Sequence, residues 1–179
     1  MLETKRLILR HWEDADASSL YLYARDPQVA LPAGYKPHDS VDYSRAYIRT
    51  VYNKDEVYAI MLKNGYGDSI GPIGNIGLTI GTDLERGRLF DEGEMGFWLG
   101  APFWGRGLMT EAVKELTRHG LYDLGLNKIW CSYYEVNYRS RILQKKCGFK
   151  YDHTVNNSKV IMLDQIRVEH FNYIDKTII

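Results

Sequence analysis

The run Trp104-Gly105-Arg106-Gly107-Leu108-Met109-Thr110-Glu111-Ala112 places two glycines, one residue apart, at the start of an amphipathic pattern. Glycines at 105 and 107 let the backbone curl so that successive N–H groups point at one anion, at the positive end of a helix dipole. The chemistry on offer is phosphate binding, carried mostly by the backbone, with Arg106 able to add a charge. A side chain at either glycine would intrude on the anion. Further along, Asn137-Tyr138-Arg139-Ser140 opens a second helical pattern that ends in Lys145-Lys146-Cys147-Gly148-Phe149. A glycine-rich corner alone is also a common steric solution for passing from strand to helix, so its neighbours decide what it means.

Those neighbours are elements of alternating and helical period. Leu7-Ile8-Leu9-Arg10 reads as a first strand, and Glu13-Asp14-Ala15-Asp16 as an acidic helix start. The apolar stripe Leu20, Tyr21, Ala24 then stops near Pro27. Residues 31–39, with Pro32, Gly34 and Pro37, read as a loop. A second helix is predicted over 41–52 from Tyr43, Ala46, Tyr47 and Val51. Residues 56–63 and 70–80 form a predicted hairpin around Asn64-Gly65-Tyr66-Gly67. A turn at 81–88 leads to Glu94-Met95-Gly96-Phe97-Trp98-Leu99, the strand that feeds the glycine turn. Beyond it, Met109, Ala112, Val113, Leu116 and Gly120 share one helix face, opposite Glu111, Lys114, Glu115 and Arg118, up to Gly125. A strand at 128–134, a helix at 140–147 closed by Gly148, and two strands at 149–152 and 159–167, joined near Asn156-Asn157, complete the reading. No repeat or low-complexity tract interrupts it, and one domain is expected across residues 1–179.

The 23 basic and 23 acidic side chains cancel, so no whole-molecule field draws the chain to nucleic acid or an anionic membrane. No run approaches the ~18 apolar residues of a membrane span. The first ten residues carry Glu3, Lys5, Arg6 and Arg10 and lack the apolar centre of a leader peptide, so a cytoplasmic location is expected. Cys131 and Cys147 form no CxxC pair and lie near no histidines at ligand spacing. Free thiols and no metal are expected.

The glycine turn, the helix opening at Asn137 and the beginning Thr4-Lys5-Arg6-Leu7-Ile8-Leu9-Arg10 together resemble the GNAT acetyltransferase superfamily. The likeness is greatest to its subgroup of ribosomal-protein N-terminal acetyltransferases, RimJ and RimL. It spans nearly the whole chain, is strongest over 94–112 and 127–149, and is loosest after Tyr151. The resemblance implies an α/β (α+β) GNAT fold: a mixed, mostly antiparallel sheet of about six or seven strands, flanked by about four helices. The sheet would splay between the strands ending at Leu99 and Tyr134, with acetyl-CoA in the split. The pyrophosphate would lie on Trp104, Gly105, Arg106, Gly107, Leu108, Met109 and Thr110. The pantetheine arm would pair with the backbone of Phe97, Trp98 and Leu99 as an added strand, and Asn137 would hold it from the other side. One departure is Pro102, where the family places Gln or Arg; it removes no N–H inside the turn itself.

The implied reaction is attack of a primary amine on the thioester, which needs a neutral nucleophile, a stabilised oxyanion and a proton for the departing thiolate. Glu94 stands where some family members place a base; the plain alternative is a solvated strand-end carboxylate. A backbone N–H near Leu99 is the oxyanion donor. Ser140 matches the family serine beside the cofactor sulfur, with Tyr138 as a rival hydroxyl, and Ser140 equally suits a helix cap. Glu111 would repel a phosphate and must point away, in a supporting role. Trp98 and Trp104 either wall the site or belong to the core, and Cys147 reads as a buried helix-end residue.

The acceptor is expected to be a protein or peptide N-terminus or a small-molecule amine, selected by residues 15–52 and 152–167. Asp14, Asp16, Asp39, Asp42 and Glu56 either favour a cationic acceptor or are ordinary solvated charges. A dinucleotide-binding module fits poorly, because no third glycine or complete phosphate loop follows. A non-catalytic acyl-CoA sensor or interaction protein of the same fold is the competing reading. A homodimer through sheet edges or the C-terminal strands is what relatives suggest.

Overall fold

The computed structural model describes residues 1–67, 69, 71–83 and 88–177. Eight strands form one sheet: β1 (Leu2–Glu3), β2 (Leu7–Arg10), β3 (Val57–Leu62), β4 (Gly74–Ile80), β5 (Glu92–Leu99), β6 (Lys128–Tyr134), β7 (Lys150–Val160) and β8 (Gln165–Asp175). Their spatial order is β1-β2-β3-β4-β5-β6-β8-β7. Every neighbouring pair is antiparallel except β5 and β6. The mixed, mostly antiparallel sheet is the expected class. The strand count exceeds six or seven because β1 is only two residues long, too short for a periodic signal.

Among the described residues five α-helices flank the sheet: α1 (Ala17–Ala24), α2 (Pro27–Ala33), α3 (Val41–Tyr47), α4 (Leu108–Arg118) and α5 (Tyr138–Lys146). The unexpected one is α2, which takes in Pro32 and the start of what reads as a loop. The first helix does stop before Pro27, at Ala24, and Pro27 also begins the next one, at the first-turn position where a missing N–H costs nothing. The Asp26 carboxylate caps α2 by accepting from the Gln28 N–H at 2.8 Å, and Gly34, at φ +87°, ends it. The predicted helix at 41–52 is α3 followed by a π-type turn at Ile48–Tyr52.

Alternation buries both sheet faces. Tyr58 and Ile60 of β3 and Met95 and Leu99 of β5 join Leu7, Leu9, Ile76, Ile129 and the apolar face of α4 (Leu108, Ala112, Val113, Leu116) in the main core. On the other face, Val57, Ala59 and Trp98 meet Trp12, Leu20 and Ile48.

The C-terminal hairpin differs from expectation. Asn156 and Asn157 lie inside β7, at a register shift between Val155 and Ser158, and the chain reverses at 161–164 instead. A bulge places polar residues inside a strand, so the asparagine pair imitates a turn. The first part of the predicted 70–80 strand includes Ile70, and the 81–88 turn includes residues 84–87; these lie outside the described residues. β5 itself begins earlier than expected, at Glu92.

β4 holds β5 in place through Gly74, where an added Cβ would lie 2.5 Å from the Trp98 carbonyl oxygen. Backbone cannot swing aside as a side chain can. The substitution Gly74→Ala is therefore expected to lower the unfolding free energy by about 1–3 kcal/mol, read from urea denaturation midpoints against wild type.

Candidate active site

The parallel pairing of β5 with β6 is confined to Glu92↔Lys128, Gly93↔Ile129 and Glu94↔Trp130. Beyond it β5 continues to Leu99 and β6 to Tyr134 unpaired with each other, and the sheet splays. Hydrogen bonds from the Gly81 N–H to the Glu92 carbonyl (3.2 Å) and from the Gly100 N–H to the Ile73 carbonyl (2.8 Å) set the alternation along β5. Its even-numbered residues bond to β4, and Met95, Phe97 and Leu99 turn their backbone toward the split. Trp98 is thereby removed from the expected pairing. Its indole donates to the Tyr52 hydroxyl at 2.8 Å within the second core. The Leu99 carbonyl is taken by the Trp104 indole N–H at 2.7 Å, leaving the Phe97 amide and carbonyl and the Leu99 N–H facing the gap.

At the end of β5 the chain enters the glycine turn. Gly105 and Gly107 have φ of +73° and +74°. A Cβ at Gly105 would meet nothing within 4 Å, so the left-handed backbone, and not crowding by the protein, is what calls for glycine there. Gly107 is the N-cap of α4 and supplies no side-chain cap, so the first-turn N–H groups of Leu108, Met109 and Thr110 project from the helix end. The Leu108 and Met109 side chains are buried in the core, and only their backbone serves the turn.

Glu111 is turned away from this end. It accepts from the Thr4 hydroxyl, from the Arg6 N–H at 2.7 Å and from Arg6 Nε at 2.7 Å. Partial burial works to raise its pKa, but the hydrogen bonds from Thr4 and Arg6 outweigh this and hold it below the ordinary value of 4.5. Arg6 also donates to the Arg106 carbonyl at 2.9 Å, fastening the turn to β2. The Arg106 side chain itself departs from expectation, donating to the Tyr66 carbonyl at 2.6 Å and lining neither cavity.

A groove of about 400 Å³ runs between β5, the glycine turn, α2 and α5. Its cations are Arg139 and Lys146. The Arg139 guanidinium sits 4.3 Å from the centre of the Trp104 ring, a cation–π contact that fixes both at the groove wall. Sequence reasoning missed these two as charge donors. Their seven-residue spacing, which puts them on one face of α5, was the available signal.

Asn137 and Ser140 lie where the groove meets a second cavity of about 220 Å³ inside the splay. Asn137 is already engaged within the protein and keeps one N–H and one oxygen lone pair for a ligand. Its Oδ1 accepts from the Ser140 N–H (3.2 Å) as the cap of α5, and its Nδ2 donates to the Pro32 carbonyl (3.1 Å). The cap is thus Asn137, and Ser140 is freed from that role. Ser140 is buried, and its Oγ accepts from Gln144 Nε2 at 3.0 Å. Tyr138 is 57% exposed and lines neither cavity, so it does not rival Ser140 in position.

The second cavity also holds Glu94, Phe97, Ser132, Tyr134 and Glu169. Glu94 Oε2 accepts from Arg88 Nη1 at 3.3 Å. Glu169, 2% exposed, accepts from the Ser132 hydroxyl at 2.6 Å and from the Ser158 hydroxyl. Sequence reasoning passed over Glu169 because its final strand was expected to end at 167. The acidic residues expected to attract a cation are engaged elsewhere: Asp14 with Arg49, Asp16 with Arg10, Asp42 with Arg45, Asp39 with Ser40 and Glu56 with Tyr58 and His119. Burial pushes the Cys147 thiol up to about 11, which suits a packing residue and not a nucleophile. Among the described residues no cluster of His, Cys, Asp or Glu could hold a metal ion, and no helix is long and apolar enough to cross a membrane.

A split sheet with a free strand edge, beside an uncapped helix end preceded by glycines, is the architecture that the resemblance to the GNAT superfamily implies, and comparison with known proteins agrees. The family model described as "Acetyltransferase (GNAT) domain" matches residues 6–150, and the chain belongs to the GNAT acetyltransferase family. It is 33% identical over 133 residues to an uncharacterized N-acetyltransferase, p20, of Bacillus licheniformis, covering 72% of this chain and 70% of that one. Among solved structures, a GNAT-family acetyltransferase from Bacillus anthracis superposes with a TM-score of 0.81 at 15% identity, over 98% of both chains. The spermidine N-acetyltransferase of Vibrio cholerae, solved with CoA and spermine, gives 0.75 at 15% identity, also over 98% of both. At such identities these two structures share the fold.

The depressed pKa of Glu111 links the anchor of α4 to acid stability. Because the folded value lies below the unfolded one, the contribution is complete above about pH 4.5 and is lost as pH falls through the folded value. Wild type should therefore lose stability on acidification more steeply than Glu111→Gln, measured as urea midpoints across this range; parallel curves would remove Glu111 as an acid-sensitive anchor.

Proposed function

We propose that this GNAT acetyltransferase is an N-acetyltransferase that moves an acetyl group from acetyl-CoA to a primary amine by direct attack, and that it lies in the RimJ/RimL-like part of the family. The observation that carries the reading is the meeting of the two cavities at Phe97 and Ser140: one runs beside the anion-binding turn, the other holds carboxylates. The residues present suit acetyl-CoA. Uncapped N–H groups and flanking cations suit phosphates, and a strand edge with alternate amides unpaired suits an amide-bearing arm. Trp104, Gly105, Gly107, Leu108, Met109 and Thr110 would hold the pyrophosphate, with Arg139 and Lys146 supplying the charge that Arg106 does not. The Phe97 N–H and carbonyl would pair with the arm, leaving the Leu99 N–H for the acyl oxygen.

Bound acetyl-CoA supplies the thioester, whose acyl carbon gains a C–N bond while the C–S bond breaks and leaves its electron pair on sulfur. The Leu99 N–H, aimed into the gap, stabilises charge on the acyl oxygen. Glu94, directly or through one water, takes the proton shed by nitrogen. Ser140 Oγ gives a proton to sulfur and recovers one from solvent, so nitrogen loses one proton and sulfur gains one.

The acceptor is a protein or peptide N-terminus or a small-molecule amine. Glu94 and Glu169 in the second cavity support an acceptor that arrives as an ammonium ion and sheds one proton to solvent before the neutral amine attacks, since opposite charge in a confined site offsets its desolvation. With a panel of peptides, polyamines and aminoglycosides, thiol release from acetyl-CoA is expected with at least one class. Glu94→Gln should then lower kcat by about 100-fold with the acetyl-CoA KM unchanged. Silence of wild type toward every amine overturns the reading, and unchanged turnover in Glu94→Gln removes Glu94 as the base.

A further inference from the structure

Gln144 stands one helical turn beyond Ser140 on α5 and is completely buried. A buried amide is costly unless every group is paired, and here both ends are. Nε2 donates to the Ser132 carbonyl at 3.1 Å and to Ser140 Oγ at 3.0 Å, and Oε1 accepts from Asn172 Nδ2 at 2.7 Å. The Ser132 carbonyl can only accept, so it fixes which end of the Gln144 amide faces β6 and Ser140. Asn172, itself buried on β8, closes the other end. The consequence falls on Ser140. Its oxygen is already an acceptor, no described residue takes its proton, and the hydroxyl lies where the two cavities meet.

We infer that Gln144 is a positioning residue: backed by Asn172 and the Ser132 carbonyl, it holds the Ser140 hydroxyl as a hydrogen-bond donor toward the thiol sulfur. This rests on the acetyl-transfer reading for the identity of the acceptor sulfur. A glutamate at 144 reverses the polarity. Its carboxylate accepts, draws the Ser140 proton back into the protein, and takes the donor away from the split. The proton balance is unchanged; what Gln144 sets is the direction of the one O–H that faces sulfur.

The test compares CoA with desulfo-CoA by titration calorimetry at pH values below and above the ionisation of the CoA thiol, which as a simple alkyl thiol lies above the cysteine value of about 8.5. In wild type a donor aimed at sulfur should raise the preference for CoA over desulfo-CoA about tenfold as the thiolate forms, the scale of a hydrogen bond to a charged group. Gln144→Glu and Ser140→Ala should both lose that rise while binding desulfo-CoA as wild type does. In turnover, each should lower kcat about tenfold with the acetyl-CoA KM unchanged, and the double variant should be no slower than Ser140→Ala alone. A retained rise in Gln144→Glu, or losses that multiply in the double variant, overturns the inference. If Gln144→Glu does not fold, Gln144→Met with Asn172→Leu removes the same contacts with apolar groups and carries the same comparison. Wild type that shows the CoA preference yet acetylates no amine sinks the function and leaves the positioning role standing; turnover without the preference does the reverse.

Discussion

The structure depends on a hydrogen-bond ladder that stops. Two parallel strands pair from Glu92 to Glu94 on β5 and then part, although both continue. Backbone groups left unpaired inside a protein are expensive, so a sheet that splays must spend that cost on something. Here the neighbours enforce it: β4 pairs with β5 along its whole length, and β8 pairs with β6 from Lys128 to Tyr134. Each half of the sheet is held by its own ladder, and the gap lies between the two halves.

Two helices occupy the mouth of that gap in different ways. α4 presents its uncapped start, and the Glu111 contacts with Thr4 and Arg6 tie that start to the edge of β2. The negative charge favoured near a helix N-terminus is thus kept, yet on the side away from the groove. α2 works as a strap. The Pro32 carbonyl accepts from Asn137 and the Leu31 carbonyl from Arg167, so its end is fastened to α5 and β8 across the split. Its closing residue Gly34 sits against the Tyr134 ring, where a Cβ would come within 2.7 Å.

Inside the split, polar groups are buried in an ordered set. Asn137 caps α5, Gln144 and Asn172 satisfy one another, and Glu169 takes two serine hydroxyls. Such networks are stable only when nearly complete, which makes the few groups left unmatched informative. Among the described residues that line the split, these include the Ser140 proton and the inward amides of β5, and they face the same space.

The resemblance to a known family supplied the class of fold; the sequence alone placed the glycine turn at a helix start, the strand that feeds it, and Glu111 facing away from it. Each rests on local rules, of period, glycine conformation and helix charge, that act within a few residues. What it misread locally were features with two meanings: Pro27, which follows the end of α1 as expected but also starts α2, and Asn156-Asn157, a bulge taken for a turn. Only the tertiary structure decided the partners. Arg106 turns to Tyr66 and leaves the groove to Arg139 and Lys146, Trp98 faces the second core, Asn137 also serves as a cap and a strap, and Glu169 enters the cavity from the last strand. The reason is one of reach. A hydrogen bond across the sheet joins residues far apart in the chain, and no local rule states which of several donors and acceptors will meet once β5 and β6 have parted.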